Sequence, residues 1–224
     1  MSEPYYQDDL VTLYHGDCLT ETAWLEADVL VTDPPYGRDW KQGALHRSGS
    51  DAHAGIAGDA GTEVRDSALA LWDGRPAYVF GDLMLAPPRG TKQTLIYRKP
   101  ANSGLRGAMN GYRRDIEAIY LVGKWPSGLG GSTSIIATAE KTMGNPSSTQ
   151  GKYEHPHAKP QDVMSRIIER TAGVVGDPFS GSGSTLLAAK LMGRPSIGVE
   201  LEEKHCEMIA KRLSQQAFDF GAIA

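Results

Sequence analysis

The sequence predicts an α/β fold built around a mostly parallel sheet, and three stretches carry the prediction. Asp28-Val29-Leu30-Val31-Thr32 is a short apolar run with β-branched residues, the pattern of a buried strand, and it stops dead at Asp33-Pro34-Pro35-Tyr36. Val174-Val175-Gly176-Asp177 ends in the same way, then passes through Pro178-Phe179-Ser180-Gly181-Ser182-Gly183 into a helical pattern from Ser184 to Leu191. Pro195-Ser196-Ile197-Gly198-Val199-Glu200 is a further strand ending in an acid, 23 residues after Asp177. Strand, tight glycine turn, helix N-terminus and an acid on the next strand tip form a cradle for a nucleotide-type cofactor.

A chain of 224 residues suits one α/β domain, residues 1–224, whose core can stabilise itself without staples. Cys18 and Cys206 are the only cysteines, too few for a disulfide framework or a four-cysteine zinc cluster. The first residues are acidic and polar and no run approaches the apolar length that spans a bilayer, so the expected location is the cytoplasm, with no membrane partner. The net charge of −4 does not advertise nucleic acid, but its distribution does: Arg89, Lys92, Arg98, Lys99, Arg106, Arg113 and Arg114 follow one another with no Asp or Glu between them. A local basic face binds phosphates even on an acidic protein, although some of these residues are ordinary strand ends.

In chain order, residues 1–9 read as a loose leader. Leu10 to His15 is a strand closed by Gly16-Asp17-Cys18, and Thr20 to Leu25 a short helix. Asp17 is read two ways, as a cap for that helix and as an acid at a strand tip where α/β sheets bind ligands. At Asp33 two prolines end the strand, since neither offers an N–H and each fixes φ near −65°. The rigid turn carries a carboxylate on one side and the Tyr36 ring on the other, a place to hold a flat polar object. Residues 38–65 lose all periodicity and are rich in glycine, which predicts a mobile loop that orders on substrate. Within it Trp40 and Arg47 are candidates for nucleic-acid contact. His46 and His53 lack neighbouring acids or cysteines at ligand spacing, so no metal is expected.

Val64 to Trp72 reads as a helix and Pro76 to Gly81 as a buried strand, with Asp82 a cap for a short helix after it. Thr94 to Tyr97 and Asp115 to Val122 are further strands. Before the second, Gly111-Tyr112-Arg113-Arg114 mixes an aromatic with arginine forks, a combination suited to phosphate or base contact. Residues 124–154 form an insertion with one candidate strand, Ser134 to Thr138. His155-Pro156-His157-Ala158-Lys159-Pro160 then leads into a helix from Gln161 to Thr171, with Val163, Met164, Ile167 and Ile168 as its apolar stripe. Leu201 to Gln215 is the last helix, with Ile209, Ala210 and Leu213 on one side.

The two turns, in this order and context, resemble those of the S-adenosyl-L-methionine-dependent DNA amino-methyltransferases that methylate N6 of adenine or N4 of cytosine. The resemblance covers nearly the whole chain and points to the permuted beta group, in which the Asp-Pro-Pro-Tyr motif precedes the glycine-rich one. It implies a Rossmann-like methyltransferase fold with a seven-stranded, mostly parallel sheet, a circularly permuted motif order and a small recognition insertion at 124–154. It also implies S-adenosyl-L-methionine as cofactor, double-stranded DNA as partner and a homodimer, and leaves open whether a restriction endonuclease accompanies the chain.

The resemblance assigns catalysis to Asp33, Pro34, Pro35 and Tyr36. Asp33 and the Pro34 carbonyl accept the two amine protons, and Tyr36 stacks on the base. For the cofactor it assigns Asp177, Phe179, Gly181 and Gly183 to the methionine portion, Glu200 to the ribose and Asp17 with Cys18 to the adenine. Asp33 borders this site, and Lys159 faces the cofactor carboxylate. Phe179 also suits filling the sheet end, and Lys159 is a plain surface lysine on the alternative reading. The residues add a sign argument: the glycine turn lacks the lysine of a phosphate loop, and Asp177 repels a pyrophosphate while suiting a cation. In the family an acid before Pro-Pro-Tyr is the adenine pattern and serine is common for cytosine, so Asp33 favours adenine, with cytosine N4 as the alternative. A catalytically inactive nucleic-acid-binding module would show a broken turn or cofactor loop, and neither is broken.

Overall fold

The computed structural model describes residues 2–37, 61–100, 103, 108–128, 130–138 and 158–220, the last five as backbone only. Strands β1 (Tyr6–Gln7), β2 (Val11–His15), β3 (Val29–Thr32), β4 (Ala77–Gly81), β5 (Thr91–Arg98), β6 (Ile116–Val122), β7 (Ile135–Ala137), β8 (Val175–Asp177) and β9 (Ser196–Glu200) alternate with helices α1 (Glu63–Leu71), α2 (Gln161–Ile168), α3 (Ser184–Leu191) and α4 (Glu203–Phe220). Among the described residues the strands form one sheet in the order β1-β2-β9-β8-β3-β4-β6-β5-β7. From β2 to β4 neighbours run parallel. Strand β6 turns back against both β4 and β5. The seven expected strands make up the body of the sheet, and the short β1 and β7 extend its two edges.

The parallel strands are apolar because both faces are covered. All four residues of β3 are buried, and their side chains alternate between two cores. Val29 and Val31 join Tyr78, Phe80 and the α2 stripe of Val163, Met164, Ile167 and Ile168 on one face. Leu30 points the other way, to Ala77, Val79, Ala68 of α1 and the stacked pair Trp24 and Trp72. Each fully buried aliphatic side chain contributes roughly 1.5–3 kcal/mol, so the period-two pattern of β3 and β4 fixes their register strongly. A third cluster joins Val11 and Leu13 of β2 to Leu186 of α3 and Cys206, Ile209 and Leu213 of α4.

Several expectations change. The first residues are not a loose leader: Tyr6–Gln7 pairs antiparallel with β2, and Asp8 is tied by Lys190 Nζ and the Tyr6 hydroxyl, each at 2.6 Å. The helix expected at Thr20 to Leu25 is a 3₁₀ turn at Ala23–Glu26. Asp82 serves a turn rather than a helix, accepting the Met84 N–H at 2.9 Å. Helix α2 stops at Ile168, where Thr171 folds its hydroxyl back onto the Ile168 carbonyl. Trp40, His46, Arg47, His53, Arg106 and His155 lie outside the described residues, as do most of the 38–65 loop and residues 139–154 of the insertion. Glu63 to Arg65, the described end of that loop, already belong to α1.

The reversal of β5 and β6 also divides the basic stretch. Arg98 pairs with Ile116 at the edge holding the carboxyl ends of the parallel strands, whereas Thr91 pairs with Val122 at the opposite edge. Arg98, Lys99, Arg113 and Arg114 therefore share an edge with Asp33, and Arg89 and Lys92 lie at the other end of the sheet. No helix among the described residues is long and apolar enough to cross a membrane.

Candidate active site

Five neighbouring parallel strands end in acids. Asp17 follows β2, Glu200 and Asp177 close β9 and β8, Asp33 follows β3, and Asp82 follows β4, all along one edge. The sequence predicts the first four as ligand-holding positions, and the sheet order sets them side by side. Thr32 and Asp177, 145 positions apart, are joined by a 2.7 Å hydrogen bond from the Thr32 hydroxyl, so the turn after β3 and the turn after β8 are physically one site.

At the first turn Asp33 accepts two donors. The Tyr36 hydroxyl reaches Oδ1 at 2.7 Å and the Lys159 ammonium reaches Oδ2 at 2.7 Å. Lys159 also donates to the Tyr36 oxygen at 3.0 Å and lies 3.2 Å from Glu117 of β6, whose other oxygen pairs with Lys99 at 2.5 Å. Burial opposes the charge on Lys159, but Asp33 and Glu117 outweigh it and hold the ammonium well above the ordinary lysine range. Burial likewise opposes ionisation of Glu117, yet Lys159 and Lys99 pull it down to about 2. Burial and the two carboxylates push the Tyr36 phenol far up, so it stays a donor. Lys159 Nζ sits 5.0 Å from the Phe80 ring and 5.4 Å from the Tyr36 ring, close enough for both faces to stabilise its charge. In this structure, then, Lys159 holds the Asp33–Tyr36 turn itself.

The second turn is built on Asp177, which is 2 % exposed. Its Oδ1 accepts the Thr32 hydroxyl and the Phe179 N–H at 3.2 Å. None of the ion pairs among the described residues involves it. Burial therefore raises its carboxyl to about 7, with the nearby Asp33 adding to the effect and the Thr32 and Thr185 hydroxyls and the Phe179 N–H opposing it. A buried anion with neutral donors alone, in a row of acids, fits a cationic ligand and would repel a pyrophosphate. Gly181 donates its N–H to Glu200 Oε2 at 2.7 Å, and the Glu202 N–H takes Oε1 at 2.8 Å, so Glu200 is held rigid at its strand tip. Gly183 has φ 73° and opens α3, and a Cβ there would lie 3.0 Å from Ile209, so both backbone and space call for glycine.

Asp17 is exposed and accepts the Leu19 N–H at 2.9 Å, which makes it a turn former rather than a helix cap. Cys18 is 5 % exposed within the core, where burial and then the Asp17 charge push its thiol up to about 12. Phe179 is partly buried and packs on the cluster containing Trp24 and Val199, in keeping with filling the sheet end. Sequence reasoning missed Glu117, and it read Lys99 only as part of the basic stretch. The available signal was an acid inside an otherwise apolar strand, Asp115-Ile116-Glu117-Ala118-Ile119, where a carboxylate persists only if paired. Among the described residues no cluster of His, Cys, Asp and Glu has the makings of a metal site.

Comparison with known proteins agrees with this geometry. The sequence model of a family described as DNA methylase, of the N6/N4 type, matches residues 27–212. The Type II methyltransferase M.ScaI of Streptomyces caespitosus is 26% identical over 266 residues, covering 97% of this chain and 86% of that protein. The crystal structure of the M1.HpyAVI–SAM complex superposes with a TM-score of 0.59 at 22% identity, covering 91% of this chain and 100% of the other. The PvuII DNA methyltransferase, described as cytosine-N4-specific, gives 0.62 at 15% identity, covering 93% and 88%. At these identities the two structures show a shared fold.

Proposed function

The chain belongs to the N6/N4 DNA methylase family, the S-adenosyl-L-methionine-dependent DNA amino-methyltransferases, and on that premise we propose that its target is N6 of an adenine flipped out of duplex DNA. The observation that carries the reading is the carboxylate of Asp33, poised at a proline-fixed strand tip and hydrogen-bonded through Thr32 to the strand that bears Asp177.

The amino nitrogen of adenine is a poor nucleophile because its lone pair is delocalised into the ring. Asp33 and the Pro34 carbonyl accept its two protons, which draws the nitrogen toward a tetrahedral geometry with its lone pair free. Tyr36 offers a ring face for the base, its hydroxyl anchored on Asp33. Asp177 presents its buried carboxylate to the positive charges of the cofactor's methionine end, and Glu200 and Asp17 complete the acceptor row toward ribose and adenine. The cofactor supplies an electrophilic methyl group on a sulfonium. Asp33 needs no unusual basicity, because the proton leaves only after the nitrogen has become cationic, so position and electrostatics supply the rate. A paired base does not reach this turn, and flipping it out costs a few kcal/mol that contacts with the duplex must offset.

Methyl transfer from labelled S-adenosylmethionine to mixed-sequence duplex DNA, followed by nucleoside digestion and mass analysis, tests the proposal. N6-methyladenine made by the wild type, with Asp33→Ala slower by about 10²-fold or more, is the expected result. N4-methylcytosine, the product class of the PvuII enzyme, would keep the mechanism and overturn the base. We further propose a homodimer, supported by Ile135, which is 53 % exposed on the last strand of the sheet. A monomer by light scattering, with and without DNA, removes that part.

A further inference from the structure

The chain from Met109 to Tyr112 is a closed two-residue hairpin. The Met109 N–H donates to the Tyr112 carbonyl at 3.0 Å and the Tyr112 N–H to the Met109 carbonyl at 2.9 Å. Asn110 and Gly111 both have positive φ, 49° and 80°, the geometry that an Asn-Gly pair adopts in the tightest hairpin turns. Its backbone is therefore locally fixed, yet Met109 is 70 % and Tyr112 78 % exposed. Among the described residues Tyr112 is the most exposed of Phe, Trp and Tyr, with Tyr5 next at 38 %. A hydrogen-bonded turn that holds a thioether and an aromatic ring out in water presents both to a partner with little further ordering cost.

Placement names that partner. The hairpin leads into β6, whose first residues lie at the catalytic edge, and the Asp115 carbonyl accepts the Lys99 N–H at 2.8 Å just before Glu117 meets Lys159. Glu117 lies five positions after Tyr112, at most about 17 Å of extended chain, or about five base-pair steps of a duplex. Arg113 and Arg114 are exposed directly behind the tip, and Arg98 is exposed across from Ile116. A rigid apolar tip rooted in arginines is suited to anions at its base and stacked rings at its end.

Resting on the function proposed above, we propose that this hairpin is a finger that enters the duplex and that the Tyr112 ring fills the space left by the flipped base, while Arg113 and Arg114 grip the flanking phosphates. Extrusion of a base leaves its neighbours unstacked on one side. A stacked Tyr112 restores that contact and blocks the base from returning.

The test begins by sequencing the site that the wild type methylates, then compares two duplexes of that site, one fully paired and one with an abasic position opposite the target. With the paired duplex, Tyr112→Ala lowers kcat/KM about tenfold and abolishes the fluorescence rise of 2-aminopurine placed at the target. With the abasic duplex, already open, the loss shrinks to within about threefold, and Tyr112→Phe behaves as wild type on both. Equal loss on both duplexes, or no loss on either, overturns the finger alone. A wild type that methylates no DNA overturns the function it rests on.

Discussion

Lys159 sits where two carboxylates would otherwise repel each other. Replacing it by Met leaves Asp33 and Glu117 facing across a largely buried gap, and we expect about 3–5 kcal/mol of lost stability along with lost methyl transfer. Adding Glu117→Gln to Lys159→Met removes the second charge, so urea unfolding should show part of that stability restored. A double variant less stable than Lys159→Met would refute the charge account. Asp177 gives a second prediction. Its carboxyl ordinarily titrates at 3.8 and in the folded chain at about 7. Between those values the folded protein holds a proton that the unfolded chain lacks, so this group makes stability fall as pH rises to about 7, with no further change above it. Asp177→Asn should abolish that slope in unfolding curves taken from pH 5 to 8. A cationic cofactor favours the ionised form, so its affinity should rise with pH up to about 7, and calorimetry at pH 6 in buffers of differing ionisation enthalpy should register proton release.

Among elements, the buried parallel strands were read from local pattern, whereas the edge strand β1 and the turns at Ala23–Glu26 and after Asp82 were not. Strands β3, β4, β8 and β9 were legible because a parallel strand covered on both faces is a plain apolar run closed by a turn. Strand β1 has two residues and no period to read; it exists because β2 offers an open edge and Lys190 of α3 holds Asp8. Burial would raise the Asp8 carboxyl, but Lys190, Tyr6 and two backbone N–H groups bring it down to about 2. Deleting residues 2–8 should strip this cover, lower the melting temperature by several degrees and expose the β2 edge to pairing between molecules. Scanning fluorimetry with light scattering would register both effects, and an unchanged melting curve would return the segment to a passive leader. Glu117 escaped notice, and Lys99 passed for one more basic residue, for a related reason: their partnership arises only when β5 and β6 pair and Lys159 arrives from far down the chain.

For the whole molecule, the order of strands decides what proximity in sequence could not. The basic residues from Arg89 to Arg114 read as one face, and the reversal at β5 and β6 sends them to opposite ends of the sheet. Arg113→Gln and Arg114→Gln should each reduce the slope of log affinity for DNA against log salt by about one, while changes at Arg89 and Lys92 leave it alone. The reverse pattern would move the DNA to the other edge. The same order has a consequence for synthesis. Strands β8 and β9, the last of the described strands in chain order, sit between β2 and β3, which come early in it. A growing chain emerging from the ribosome therefore carries the Asp33 turn on a strand whose neighbour β8 is still missing, and the row of strand-tip acids is incomplete until residue 200 is free. A product truncated before β8 leaves the apolar β3 edge open to pairing with other chains.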